Sequence, residues 1–314
     1  MSKITLRLDT SQIVQALKCP AYHNFVSVQN LAPKYANRVA LDRGTVMHGL
    51  LQRYYQKIWE REVWPSAMSY SVSCLTELKM GMKLDMNDYK LILMRFSDYC
   101  VKYHKESVQV ATVNIPDEKG VIRKRPALEI GFSVPILDSE EYYFVLEGRI
   151  DMVTVMSGCD VIWDHKAQGR AYNLYGHSIQ MLNYALAVGT NMTMYNFVRL
   201  HQAIQNNTFD RKLKYIPMWL QERWRAKLIA TFTAISKFRS RNESTDDIID
   251  SCFPNQSCND IGFGKICPFV SVCEEQIPSV REAVIQANYE ERKQWQPWSL
   301  EESFTEGEII NESN

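Results

Sequence analysis

The 314 residues predict a mixed α/β fold, with helices packed around a mixed β-sheet core. Three observations carry that prediction. Apolar residues in the first hundred positions recur at helical spacing. From about residue 127 the period changes to short, β-branched and aromatic runs separated by turn residues. A helix and further strands follow, and a long amphipathic segment over 219–241 then leads into a cysteine-rich end.

Each element has its own local reason. "DTSQIVQALKCPAYHNFV" reads as a short helix capped by Thr10 or Ser11. "RGTVMHGLLQRYYQKIW" places Met47, Leu50, Leu51, Tyr54 and Ile58 on one helical face. Residues 75–107 read as two helices broken near Asp85 to Asp88. "ALEIGFSVPIL", "EYYFVLEGRIDMVTVM" and "CDVIWDHKA" read as strands, with turns at Asp138–Ser139 and Ser157–Gly158. A helix over roughly 171–188 and strands in "MYNFVRLHQAI" and "KLKYIPMW" follow. In the 219–241 helix, Leu220, Trp224, Leu228, Phe232 and Ile235 share one face. A last helix lies near 279–294, and 298–314 reads as an acidic, disordered tail.

Composition narrows the function classes. Thirty-six basic residues balance 36 acidic ones, so no global charge points to nucleic acid and any basic surface is local. No run reaches the ~18 apolar residues of a membrane span, and the N-terminus lacks an apolar signal core. The expectation is a soluble, cytoplasmic protein without a membrane partner. Eight cysteines are more than such a chain needs, and four crowd into 252–273, which suggests metal over disulfides.

The hairpin "GRIDMVTVMSGCDVIWDHKAQ" poses the chemical question. With Ser157–Gly158 as a two-residue turn, Asp151 falls directly opposite Asp164. Cross-strand partners have Cβ atoms about 5 Å apart. Lys166 lies two residues beyond Asp164 and points to the same face. Two carboxylates that close need a cation between them or a proton on one. Lys166 could serve alone in a salt-bridged hairpin, and the oxygen ligands equally suit Mg²⁺ or Mn²⁺. Glu129 and Glu147 are further acids nearby, but no pattern directs them toward the hairpin.

An aspartate on one strand, a hairpin and then Asp-x-Lys resembles the core of the PD-(D/E)XK nuclease superfamily, and "EGRIDMV" with "CDVIWDHKA" resembles its RecB-type branch. "RGTVMHGLL" resembles the upstream Gly-x-x-x-His helix of that branch, which implies His48 as a metal ligand. "HSIQMLNYALAV" resembles the following helix and implies roles for Gln180 and Tyr184. "LKCP" and "FPNQSC…CPFVSVC" resemble the iron–sulfur subset, which includes AddB-type nuclease domains, CRISPR-associated RecB-like exonucleases and phage proteins.

The resemblance covers roughly residues 11–275 and implies a restriction-endonuclease-like sheet in a single nuclease domain over 1–297. It implies metal held by His48, Asp151, Asp164 and the backbone carbonyl of His165. Lys166 would orient water or neutralise charge on phosphate, steadied by Gln180 and Tyr184. It also implies a 4Fe-4S cluster on Cys19, Cys258, Cys267 and Cys273, in a region at about 252–275. The C-terminal spacing departs from the commoner pattern and leaves Cys252 against Cys258 open. Zinc on the C-terminal four stays an alternative, although their gaps miss the paired two-residue spacing of zinc ribbons. Cys74, Cys100 and Cys159 read as small buried apolar residues.

The expected activity is a metal-dependent DNA exonuclease acting on single strands or ends in repair or recombination. The alternative is a non-catalytic DNA-end-binding or assembly module on the same fold. No glycine-rich phosphate loop is present in the sequence, so a helicase or recombination partner would lie on another chain. Residues 210–241 carry nine Lys/Arg against two acids, with Trp219 and Trp224 interleaved, and could contact a single strand. The same residues read more readily as a solvated face, with Trp224 in the core.

Overall fold

The computed structural model describes residues 3–35, 38–78, 82–116, 121–168, 178–200, 208–241, 244–261, 265–292, 303–305 and 309–310. Strand β1 (Ile4–Asp9) feeds α1 (Thr10–Lys18). The cap of α1 is Asp9, ahead of the predicted Thr10 or Ser11, because its carboxylate accepts from Gln12 N while the Gln12 side chain accepts from the Asp9 amide. Pro20 opens the one-turn α2 (Pro20–His23), and β2 (Leu31–Pro33) follows. Helix α3 (Val39–Trp59) buries Met47, Leu50, Leu51 and Tyr54, the predicted face.

Helices α4 (Trp64–Ser73), α5 (Leu75–Leu78) and α6 (Met86–Tyr103) come next. The predicted break is real: Asp85 caps α6 and Asp88 closes a capping box. The strands are β3 (Gln109–Val110), β4 (Thr112–Pro116), β5 (Ile122–Pro126), β6 (Leu128–Asp138), β7 (Tyr142–Met156) and β8 (Cys159–Gln168).

Ser178 caps α7 (Ile179–Val188), and Gly189 ends it in the left-handed conformation. The predicted start of this helix at 171 lies outside the described residues. Strands β9 (Met192–Arg199) and β10 (Phe209–Tyr215) lead to α8 (Met218–Arg241) and α9 (Thr245–Cys252). Helices α10 (Val270–Glu274) and α11 (Pro278–Asn288) and strand β11 (Tyr289–Glu291) follow. In the acidic segment, β12 (Ser303–Thr305) and β13 (Ile309–Ile310) pair with β6 and β4, and its remaining residues lie outside those described.

The chain divides into two compact units. The sheet unit comprises 37–134, 148–222 and 297–314. Its strands run in the order β10-β9-β8-β7-β6, with β7–β8 and β9–β10 antiparallel and β8–β9 parallel. A parallel pair needs a crossover, and α7 supplies it. The mixed α/β architecture predicted from the sequence is therefore the observed one. The core of this unit packs α3 and α6 side chains such as Leu50, Leu51 and Phe96 with Met152, Trp163 and Val198 of the sheet.

The cysteine unit comprises 1–36, 135–147 and 223–296. Here β1 runs parallel to the first half of β7, Ile4 opposite Tyr142 through Asp9 opposite Glu147. Its second apolar cluster centres on Phe25, Phe269 and Tyr289, stacked at 4.9 and 4.8 Å. No helix among the described residues is long and apolar enough to cross a membrane.

Candidate metal centre

Ser157 and Gly158 both take positive φ, 51° and 77°, as a two-residue primed turn requires. The turn sets the predicted register, Met156 opposite Cys159 through Met152 opposite Trp163. The ladder stops there, at the point where Asp151 and Asp164 would form the next pair. In place of a main-chain acceptor, Asp151 Oδ2 accepts from His165 N at 2.6 Å. The two strands thus fork, and the fork is where the acids collect.

Asp164 is 1% exposed, and Lys166 Nζ pairs with its Oδ2 at 2.8 Å. Lys166 Nζ donates to Gln180 Oε1 at 2.9 Å, and Gln180 Nε2 donates to Tyr184 OH at 2.7 Å. Helix α7 therefore braces the lysine through residues one turn apart. From α3, His48 Nδ1 stands 3.6 Å from Asp151 Oδ2. The structure brings His48, Asp151, Asp164, Lys166, Gln180 and Tyr184 into one site, together with the main chain of His165.

The sequence did not direct Glu129 here, yet it belongs to the site. His48, Glu129 and Asp151 offer ligand atoms that all lie within 4.8 Å of one another. Asp164 stands outside that tightest set. Glu129 sits at the start of β6 with φ of 50°, a left-handed conformation uncommon outside glycine. Arg149 Nε pairs with it at 3.0 Å. That backbone turn re-aims the side chain, and no periodicity announces it. Glu147 lies in the cysteine unit, paired with Arg7 at 2.5 Å.

The electrostatics describe a site short of positive charge. Burial, then the charge of Asp151, raise the Glu129 carboxyl to about 7, against Arg149 and His48. Burial raises Asp164 to about 6, with Lys166 opposing and Asp151 reinforcing. Burial alone would lower Lys166, but Asp164 holds it above the ordinary lysine value. Burial lowers the His165 imidazole to about 3 and keeps it neutral. Carboxylates crowded and buried in this way, with the His48 imidazole beside them, fit a divalent cation with oxygen and imidazole ligands.

Residues 7–274 match the family model described as the PD-(D/E)XK nuclease superfamily. The chain belongs to that superfamily. Membership in the PD-(D/E)XK superfamily carries metal-dependent phosphodiester hydrolysis, with DNA as the substrate class. Among solved structures nine chains match. One, titled "Crystal structure of SSO0001", is 8% identical, covers 60% of this chain and 74% of its own, and superposes with a TM-score of 0.28. A search of curated proteins finds no match.

This PD-(D/E)XK chain holds a second candidate site in the cysteine unit. Cys19, Cys252, Cys258, Cys267 and Cys273 line one cavity with Tyr22, Asn255 and Phe269. Cys19 joins α1 to α2, and Cys267 N bonds Cys258 O at 3.0 Å. Asn255 Nδ2 donates to Cys19 Sγ at 3.2 Å, and Cys252 Sγ donates to Ile248 O at 2.8 Å. The interaction between the neighbouring Cys19 and Cys252 thiols lowers Cys19 and raises Cys252. Burial raises Cys267, and it raises Cys273 to about 12.

Among the described residues no three cysteine sulfurs lie within 4.8 Å of one another. A single tetrahedral zinc would hold four at about 3.8 Å. The soft donor set suits a thiolate-ligated metal, iron–sulfur or zinc. Of the remaining cysteines, Cys100 is buried and Cys74 half-buried, but Cys159 is exposed beside the hairpin turn, where no core reaches it.

In the 210–241 stretch, Trp219 is exposed and Trp224 half-buried. Arg211 is withdrawn from the basic surface into a buried polar network.

Proposed function

We propose that the chain is a Mg²⁺- or Mn²⁺-dependent DNA exonuclease of the RecB-like, iron–sulfur branch, acting on single strands or ends in DNA repair or recombination. One observation supports the reading most: at the β7–β8 fork the buried carboxylate of Asp164, paired with Lys166, lies where Asp151 and His48 converge. His48, Asp151, Asp164 and the carbonyl of His165 would hold the cation, with Glu129 added from β6. A bound divalent cation activates water and stabilises charge on the phosphate and the leaving oxygen.

The protein's own residues do the rest. Lys166 offers an ammonium to the attacking water or to a non-bridging phosphate oxygen. Its hydrogen bond to Gln180, itself bonded to Tyr184, restrains the long stem so that little ordering remains for the reaction. Cys19, Cys267, Cys273 and either Cys258 or Cys252 would carry a structural 4Fe-4S cluster. Such a cluster ties residue 19 to the C-terminal helices and takes no part in hydrolysis.

The test is digestion of linear and circular single-stranded DNA, the former labelled at either end, with Mg²⁺ or Mn²⁺. Linear DNA should be degraded from an end and circular DNA spared. Asp164→Ala and Lys166→Ala should each lower cleavage at least ~10³-fold while DNA is still bound. Cleavage of the circle at an equal rate would make the enzyme an endonuclease. Undiminished activity in either variant would refute the site, and inertness of the wild type would favour the non-catalytic module.

A further inference from the structure

A row of polar side chains crosses the sheet beside the metal centre. In the β-ladders Arg211 of β10 is the direct partner of Asn196 of β9, and Asn196 is the direct partner of His165 of β8. Three adjacent strands thus place three polar residues in register, on one face. Asn196 is 0% exposed and His165 3%. The Arg211 guanidinium lies 3.6 Å from the centre of the Tyr103 ring and 4.7 Å from that of Trp163, with Glu106 pairing at its outer end.

The hydrogen bonds in this row have only one consistent direction. Arg211 can only donate. It donates to Tyr99 OH at 2.8 Å, to Tyr55 OH at 3.0 Å and, through Nε, to Asn196 Oδ1 at 3.3 Å. Tyr99 OH also donates to Asn196 Oδ1, at 3.2 Å. The asparagine amide therefore cannot be flipped: its oxygen faces the arginine and its Nδ2 faces His165 Nδ1 at 2.8 Å. Nδ2 is a donor, so His165 Nδ1 must accept, and the ring proton sits on Nε2. Tyr55 stacks on the same ring, 6.0 Å between centres and 5° from parallel.

His165 is where this row reaches the metal centre, because its backbone N–H holds Asp151. Beyond Trp163 that stretch of β8 has lost β7 as a partner and keeps only β9. An apolar row would pack as stably, since a buried arginine gains little net stability over hydrophobic residues of similar volume. We infer that Asn196, oriented by Arg211, is a positioning residue for the metal centre: it locks the tautomer and angle of the His165 ring, and through it the main chain that carries Asp151. The inference rests on the metal-site reading above and adds a dependence on residues that touch neither metal nor DNA.

Asn196→Asp is the informative change. It keeps size and still accepts from Arg211 and Tyr99, but it cannot donate to His165, so the ring must turn to its Nδ1–H form. The full chain, labelled with ¹⁵N-histidine, reports the tautomer, and Mn²⁺ calorimetry reports the site without any turnover. The wild type should show His165 as Nε2–H and Asn196→Asp as Nδ1–H. Mn²⁺ affinity and kcat should fall about 10–100-fold, the usual effect of an outer partner of a ligand, with the KM for DNA changed by less than about twofold.

Asp164→Ala separates the two levels of argument. If it leaves Mn²⁺ binding intact, the metal-site reading fails. If it abolishes binding while Asn196→Asp binds as the wild type does, only the positioning role is overturned. A wild-type His165 in the Nδ1–H form overturns it directly, and that measurement decides the matter even if Asn196→Asp does not fold.

Discussion

Gly148 lies on β7 three residues before Asp151, and the space beside it is already taken. A Cβ built there would stand 2.5 Å from Cζ and 2.6 Å from Cε1 of Phe132, about an ångström inside ordinary contact. Phe132 is 0% exposed, and its ring meets Tyr184 edge to face at 6.0 Å. The ring cannot back away freely, so Gly148→Ala should cost about 1–3 kcal/mol by overpacking. Fewer unfolded conformations would return less than about 1 kcal/mol of this, since φ at Gly148 is not in the left-handed range.

In a unit of this size that means a melting temperature lower by roughly 2–8 °C. Displacement of Phe132 presses on Tyr184 and so on the Gln180–Lys166 bond, and kcat should fall about tenfold. Phe132→Leu added to Gly148→Ala should recover most of both losses, read by thermal melting and by single-turnover cleavage. A single variant that melts with the wild type, or a double variant that shows no recovery, would refute the steric chain from Gly148 to Lys166.

Two further outcomes are expected. In chelator, Glu129→Gln should melt with the wild type near pH 5 but above it at pH 8, by up to about 3 kcal/mol, because a carboxyl raised from 4.5 to about 7 contributes stability that is lost as pH rises through 7. Saturating Mn²⁺ should reverse that order, and a difference independent of pH would show that Glu129 is not held by burial and Asp151. Anaerobically purified protein should be brown, with Cys19→Ser losing the colour and melting several degrees lower while Cys159→Ser, on the surface, keeps both. Zinc in place of iron by elemental analysis, or a colour indifferent to Cys19→Ser, would assign the C-terminal cysteines a site of their own.

Much of the site was legible because strand pleating is a strict alternation. The Ser-Gly turn sets the register as far as Met152 opposite Trp163; Asp151 and Asp164 were expected as the next pair, but the strands fork before they meet. The α3 face and the break at Asp85 were legible for the same local reasons, periodicity and capping. Glu129 was not, since its direction comes from a left-handed backbone that nothing in "RPALEIG" signals. Strands β1, β3, β4 and β5 were also missed. They are short, and "VIRKRP" carries three cations whose exposure hides the alternation. Asn196 and Arg211 look like ordinary strand residues until three strands are laid side by side. The likeness in family motifs pointed to His48, Gln180 and Tyr184, which local pattern alone would have left as boundary residues.

The clamping of β8 also limits how this region tolerates changes in chain length. The strand is held by β7 from Cys159 to Trp163 and by β9 from Val161 to Gln168. One residue added between Val161 and Trp163 must either bulge or slip against a neighbour. A slip by one would turn His165 toward the acids and send Asp164 and Lys166 to the opposite face. The turn at Ser157–Gly158 can lengthen without that penalty, because β9 still dictates where β8 sits. Insertions should therefore be accepted at the hairpin tip and rejected a few residues later, a sharp boundary that a scan of single-residue insertions along 156–164 would reveal.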